Sequence, residues 1–243
     1  MPNPTAAMLV IGDEILSGRT RDANMYHLAG VLTEKGIDLA EVRVVADDPA
    51  AIVAAVKALS AAWDHVFTSG GIGPTHDDIT ADCISEAFGV KIDVRDDARA
   101  LLAAHYKRTG SELNAARLRM ARIPDGAVLI DNPVSVAPGF SIGNVHVMAG
   151  VPAVFQAMVA TVMPGLTGGA PLQSATVRIN RGEGDIAMVL TGLAQAHAEL
   201  ALGSYPFQRD GKFGSNIVIR GTDPAAIAQV RAALLEAFAG DAE

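Results

Sequence analysis

Short apolar runs rich in β-branched residues alternate along this chain with longer stretches whose apolar residues recur every three or four positions. Such alternation implies βαβ units, a parallel sheet and helices covering both of its faces. AAMLVIG (6–12) is the first run. Met25, Leu28, Ala29 and Leu32 then mark a helix that closes at Gly36, a residue suited to the left-handed end of a helix. IDLAEVRVVA (37–46) reads as the second strand, Pro49 opens a helix through Trp63, and HVFTS (65–69) is a third, buried strand. DITADCISEAFG (78–89) has an acidic start, apolar Ile79, Cys83, Ile84 and Ala87, and a closing Gly89, which predicts the next helix. Helices over 95–108 and 111–121, strands over 127–130 and 145–150, and a helix from Pro152 to about Met163 complete one doubly wound domain.

PGLTGGAP (164–171) breaks the pattern as a linker or long turn would. Beyond it the chain reads strand (174–179), helix (184–199), strands (200–205 and 215–220) and helix (223–239). The expected architecture is an α/β protein: a three-layer, doubly wound, mostly parallel sheet over residues 1–165 and a small α+β subdomain over 172–243, near the lower size at which domains fold alone.

Composition narrows the partners. The chain is 50% hydrophobic with a formal charge of −8, and no basic run offers a track for a phosphate backbone, so nucleic acid is not an expected partner. Cys83 is the single cysteine and cannot form an intrachain disulfide. The opening MPNPT has no signal-peptide character, and no apolar stretch approaches the roughly 20 residues that cross a bilayer, which predicts a cytoplasmic protein with no membrane partner.

In open parallel sheets, ligands sit beyond the carboxyl ends of the strands. GDEILSG (12–18) follows the first strand, GGIGPTHDDIT (70–80) follows the third, NPVSVAPGF (132–140) precedes the last, and that strand exits through MAGVP (148–152). Gly70, Gly71 and Gly73 permit close approach of backbone to ligand, and amides at the next helix start favour an anion such as phosphate. Neither the phosphate-loop motif with its lysine nor the dinucleotide fingerprint is complete. Instead, acidic residues follow three successive strands: Asp13 and Glu14, Asp47 and Asp48, Asp77 and Asp78. Carboxylates beside a phosphate loop would repel the ligand unless a divalent cation lies between them. A metal-bridged phosphate or pyrophosphate site is therefore predicted, with Glu14, Asp77 and Asp78 as ligands of Mg²⁺ or another divalent cation such as Co²⁺.

Other residues are weighed against structural roles. An aspartate at a helix start serves as an N-cap, and glycines after a strand turn the chain. His76 lies inside the glycine loop, where it faces either phosphate or a carboxylate. The remaining histidines lack metal-ligand spacing, Cys83 falls on an apolar helix side, and Ser17 and Ser69 have no base nearby in sequence. Arg117, Arg119 and Arg122 form a stripe from which one arginine could clamp a phosphate.

GDEILSG with Asp22 and Asn24 downstream, SGGIGPTHDDIT, NPVSVAPGF and MAGVP, in this order, resemble the MoaB/Mog molybdopterin-binding domain in the form found in the amino-terminal half of CinA-type proteins and of eukaryotic FAD synthases. LGSYPF (202–207) and RGTDPAAI (220–227) resemble the small subdomain that follows it in those proteins. The resemblance implies that the glycine loop binds pterin or nucleotide phosphates and that Asp47 and Asp78 serve catalysis or metal binding. Within the same motifs it implies a ligand site built from Gly12, Asp13, Ser69, Gly70, Gly71, Gly73, Pro74, Thr75, Thr80, Asn132, Pro138, Gly139, Gly150 and Pro152. It further implies a metal-dependent pyrophosphatase acting on ADP-ribose or FAD. The alternatives are a molybdopterin-binding adenylyltransferase of molybdenum cofactor biosynthesis and a binding module without turnover. Two departures stand out: Val154 occupies a position that is usually acidic in the CinA-like pattern, and the 243 residues leave no room for the further domain of those longer proteins. The expected partner is a phosphate-bearing small molecule, a dinucleotide or pterin, and the chain is expected to form a homo-oligomer.

Overall fold

The computed structural model describes residues 2–209 and 211–243, and these divide into two compact units, 1–169 and 170–243. In the first unit, β1 (Thr5–Ile11), β2 (Asp38–Val45), β3 (His65–Ser69), β6 (Val128–Ile130), β7 (Gly139–Ile142) and β8 (Val145–Met148) form one sheet in the order β2-β1-β3-β8-β7-β6. The first four in that order run parallel, while β7 pairs antiparallel with both β8 and β6. The sheet is mixed and mostly parallel.

β1 shows why a continuous apolar run was needed. Ala7, Leu9 and Ile11 point into one layer with α3 (Pro49–Ala62), α4 (Thr80–Phe88) and α5 (Asp96–Thr109). Ala6, Met8 and Val10 point into the other, with α2 (Asn24–Lys35) and α7 (Pro152–Val162). All six of these side chains are buried, as expected for a strand covered on both faces. Two short strands outside the main sheet, β4 (Ile92–Val94) and β5 (Arg122–Pro124), form an antiparallel ribbon against α4.

Several local devices follow from residue type. Asp48 caps α3 by accepting from the Ala51 amide at 2.8 Å, and Pro49 fills the first helical position. Gly36, Gly89 and Gly110 end α2, α4 and α5 in the left-handed conformation. At the close of α3, Trp63 donates its indole N–H to the Glu41 carboxylate at 3.0 Å, and that bond together with Arg43 holds the Glu41 carboxyl below the usual range. The stretch expected to form a helix over 111–121 is a single turn, α6 (Ala115–Leu118), continued as a 3₁₀ turn over 119–121. The glycine-rich stretch after α7 is fastened before it leaves the unit: the Gly169 amide donates to the Gly36 carbonyl at 2.9 Å.

The second unit comprises β9 (Gln173–Ile179), α8 (Glu183–Ala196), β10 (Ala201–Arg209), β11 (Lys212–Gly221) and α9 (Pro224–Ala237). Its strands form an antiparallel sheet in the order β10-β11-β9, and the two helices cover Val177, Ile179, Ile217 and Ile219 on one face. The helix α9 repeats the start of α3, with Asp223 as cap and Pro224 behind it. Among the described residues, no helix is long and apolar enough to cross a membrane.

Candidate functional site

The carboxyl ends of β1, β3 and β8 open into one cleft of about 620 Å³. Its floor is the turn after β3. Gly70 has φ +112°, and a Cβ there would lie 2.2 Å from the Ile11 carbonyl oxygen. At Gly71, φ is +69° and a Cβ would meet Thr80 Oγ1 at 2.1 Å. Only glycine fits either position. Thr80 is fully buried and fastens the turn from behind, donating its hydroxyl to the Gly70 carbonyl and its amide to the Gly71 carbonyl. The Gly70 amide donates to the Met148 carbonyl, which joins the loop to β8.

Four carboxylates face the cleft: Glu14, Asp47, Asp77 and Asp78. Asp47 accepts from the Asp13 amide at 3.0 Å. Burial, and then the neighbouring charges of Asp13, Glu14 and Asp77, push its carboxyl above the ordinary aspartate range. Asp78 does not cap α4, which starts at Thr80; it closes the loop on itself by accepting from the Thr75 amide at 2.8 Å and from the Thr75 hydroxyl at 2.5 Å. The Asp77 carboxyl is held low, first by the nearby Thr75 hydroxyl and then by its own backbone amide. Among the described residues no lysine or arginine forms an ion pair with any of these four groups. Uncompensated negative charge of this kind fits a divalent cation. Among the described residues no three His, Cys, Asp or Glu side chains are grouped closely enough to hold an ion, so Glu14, Asp77 and Asp78 do not form a ready-made metal site.

The structure brings Gly12, Gly70, Gly71, Gly73, Pro74, Asn132, Gly150 and Pro152 to the same wall as the carboxylates. Other residues anticipated from the motifs stand one layer behind it. Ser69 is buried and accepts from Asn24 Nδ2 at 2.7 Å. Thr75 and Thr80 brace the loop, Asp13 offers its amide to Asp47, and Pro138 lines a small adjoining crevice. Gly139 lies in β7, where a Cβ would meet the Val147 carbonyl oxygen at 2.4 Å. The arginine stripe does not reach the main cleft: Arg117 stacks over Tyr106, Arg119 donates to the Asp78 carbonyl, and Arg122 forms a bidentate pair with Asp82. His76 is solvent-exposed, 3.8 Å from Asp77. Cys83 is buried, its thiol pushed up to about 11, chiefly by burial.

Sequence reasoning missed Thr20, Met120 and Ser135, all of which line the cleft. Ser135 lay inside a motif already singled out, whereas Met120 comes from the 3₁₀ turn and carries no local signal. Asn24 is also more central than its place in the sequence suggests: it is buried at the start of α2 and donates to both Ser69 Oγ and the Gly150 carbonyl, tying the exits of β3 and β8 together.

Comparison with known proteins agrees with this geometry. A family model described as a probable molybdopterin binding domain matches residues 7–168, and one described as the FAD synthase middle domain matches residues 171–242. A CinA-like protein of Citrifermentans bemidjiense is 36% identical over 206 residues, which is 82% of this chain and 48% of that protein. A probable FAD synthase of Caenorhabditis briggsae is 30% identical over 260 residues, 97% of this chain and 50% of that protein. The chain thus spans about half the length of these two relatives. The crystal structure of the protein CinA from Thermoplasma acidophilum superposes with a TM-score of 0.62 at 33% identity, covering 67% of this chain and 97% of that one. With the family model spanning the whole sheet and cleft, and a CinA structure matched over nearly its full length, the chain belongs to the probable molybdopterin binding domain family, among its CinA-like members.

Proposed function

We propose that the cleft binds the pyrophosphate of a dinucleotide such as ADP-ribose or FAD through a divalent cation and hydrolyses it. One observation carries the reading: the glycine turn and the carboxylates from three strand exits meet in a cleft with no basic side chain among its described lining residues. A phosphate cannot approach that wall unaided, because like unit charges about 4 Å apart repel by about 4 kcal/mol at an effective dielectric near 20. A cation held by Glu14, Asp77 and Asp78 would offset that repulsion and polarise the phosphoryl oxygens. The amides of the turn around Gly71 and Gly73 seat the phosphates, while the Gly70 amide stays bonded to the Met148 carbonyl. Asp47, which faces the same cleft and accepts from the Asp13 amide, takes the proton of the attacking water. The water oxygen bonds to one phosphorus as the bridging P–O bond breaks, so ADP-ribose would yield AMP and ribose 5-phosphate.

The family description favours a second reading, in which the same cradle binds molybdopterin, and we add to it the transfer of an adenylyl group from ATP. Incubation with ADP-ribose, with FAD, and with molybdopterin plus ATP, each with Mg²⁺ or Co²⁺, separates the two. AMP released from the dinucleotides supports hydrolysis, and an adenylylated pterin supports transfer. In calorimetry, ADP-ribose affinity should fall at least about tenfold, or 1.4 kcal/mol, when EDTA replaces Mg²⁺. Binding indifferent to EDTA, with no turnover, would leave only a ligand-binding module.

A further inference from the structure

The loop between β6 and β7 brings Asn132, Ser135 and Ala137, none of them charged, to the cleft, and its shape is held tightly. Asn132, 2% exposed, organises it with its whole side chain. Its Oδ1 accepts from the amides of Val134 and Ser135, and its Nδ2 donates to the Ala137 carbonyl at 2.8 Å and to Ser135 Oγ at 2.6 Å. Val136 completes the turn at φ +68°, the only residue other than glycine with a positive φ among those described. A β-branched side chain is strained in that region, and such strain persists where the surroundings fix the backbone for a purpose. The purpose is legible at Ser135. Its Oγ accepts from Asn132, which anchors the oxygen, and among the described residues no protein acceptor takes its O–H, so that proton is free for a ligand. Ser135 is exposed and lines the cleft, beside an apolar wall of Ala137, Val151 and Val154. A hydroxyl anchored at its oxygen, with its proton free, in a cleft also lined by apolar side chains suits a flat, neutral ring with a lone pair on its rim.

We propose that Ser135, held by Asn132 and the strained Val136, forms a subsite that reads the neutral heteroaromatic ring of the ligand through a ring nitrogen or carbonyl acceptor. This rests on the phosphate-site reading above and adds to it the recognition of the ligand's other end. The charged groups and the ring subsite then divide the cleft: carboxylates, cation and glycine turn take the phosphates, and the β6–β7 loop selects what they are attached to.

Calorimetry in the presence of Mg²⁺ with inorganic pyrophosphate, ribose 5-phosphate, AMP and ADP-ribose tests it. In Ser135→Ala, affinity for AMP and ADP-ribose should fall about three- to tenfold, the range for one neutral hydrogen bond, while pyrophosphate and ribose 5-phosphate bind as to the parent. Val136→Gly should weaken the same two ligands by a similar factor with no fall in Tm, because releasing the strain offsets the added freedom of the unfolded chain. An equal loss for ribose 5-phosphate would mean that Ser135 reads the sugar, and no loss for any ligand would mean that it reads nothing; either overturns the proposal. A Tm lowered by several degrees in Val136→Gly would overturn the role given to strain. A parent protein that binds neither pyrophosphate nor ADP-ribose overturns the phosphate-site reading itself, and the ring subsite with it.

Discussion

Where β3 and β8 begin, polar groups are joined to one another; where the same strands end, they are held open. At the first end Asp64 accepts from both the amide and the hydroxyl of Thr5, at 2.8 and 2.7 Å, which holds its carboxyl below the usual range. The Asn144 side chain links the β7–β8 turn to Ser60 and to the Trp63 carbonyl. At the other end Asp47 is raised in pKa by burial and three acidic neighbours, and Ser135 has a hydroxyl proton with no protein acceptor among the described residues. Both ends are built from the same sheet and from similar residues. The difference is that one set of groups completes its bonding inside the fold, and the other is arranged for something that arrives from solution.

The sharpest way to break this contrast is to make one substitution at both ends. Gly70→Ala combines a disfavoured φ with a clash against the Ile11 carbonyl and should cost about 4 kcal/mol or prevent folding. Gly143→Ala, at φ +56° in the β7–β8 turn with Phe88 as its nearest neighbour at 3.1 Å, should cost only about 1 kcal/mol. Urea denaturation followed by circular dichroism measures both, and equal costs would remove the special status of the glycine loop.

The exception to the contrast is the imidazole pair at the first end. His146 is buried, its Nδ1 bonded to Ser141 Oγ and its Nε2 without a partner among the described residues; its ring lies 5.7 Å from that of His65, whose Nδ1 likewise has none among them. Burial first, and then the His65 charge, lower the His146 pKa from 6.5 to about 4. A lowered histidine pKa means that the unfolded chain binds the proton more readily, so this stability is fully present above pH 6.5 and is lost as pH falls toward about 4. The loss should approach about 3 kcal/mol across that window, and His146→Gln should flatten the slope. A parent protein whose urea midpoint does not move between those two pH values would show that the imidazole is hydrated.

Three aspartates give smaller effects. If the proposed hydrolysis holds, Asp78→Ala should lower ADP-ribose turnover at least about a hundredfold, because it removes a proposed cation ligand together with the group that orders the loop through Thr75. Turnover within a few-fold of the parent would remove Asp78 from the chemistry. Asp47→Asn should leave stability unchanged at neutral pH or raise it by about 0.5 kcal/mol, since a raised carboxyl pKa means that its charge opposes folding. Asp64→Asn, at the other end, should lower stability at the same pH, because there the charge is favoured by its hydrogen bonds. The same sign from both substitutions would erase the distinction between the two ends.

Much of this was legible in the sequence because the relevant signals are local. The continuous apolar run of β1 announced a strand buried on both faces, and Asp48-Pro49 announced the start of α3. The clustering of carboxylates beyond three strands was readable because strand ends share one edge of a parallel sheet. Two of the short strands were not visible: β4 and β5, at three residues each and outside the main sheet, are too short to show a period, whereas the similarly short β6 and β8 were marked by their β-branched apolar runs. β7 was hidden by Pro138 and Gly139, although GFSI and VHVM separated by Gly143-Asn144 is a hairpin signal that a closer reading would have used. What the sequence withheld at the site was pairing at a distance. Nothing near Asn24 indicates that it meets Ser69 and Gly150, and nothing near Ser135 indicates which of its hydrogen bonds Asn132 already occupies.

Trp63, bonded to Glu41 at the close of α3, is the single tryptophan of the chain and belongs to the first unit. It stands at the end of the sheet away from the cleft. Its emission is therefore a selective optical reporter: it should follow the unfolding of the first unit, remain blind to melting of the second, and change little on titration with a nucleotide. A denaturation curve read by tryptophan fluorescence and one read by far-ultraviolet circular dichroism would coincide if both units melt together, and would separate by the contribution of the second unit if they do not.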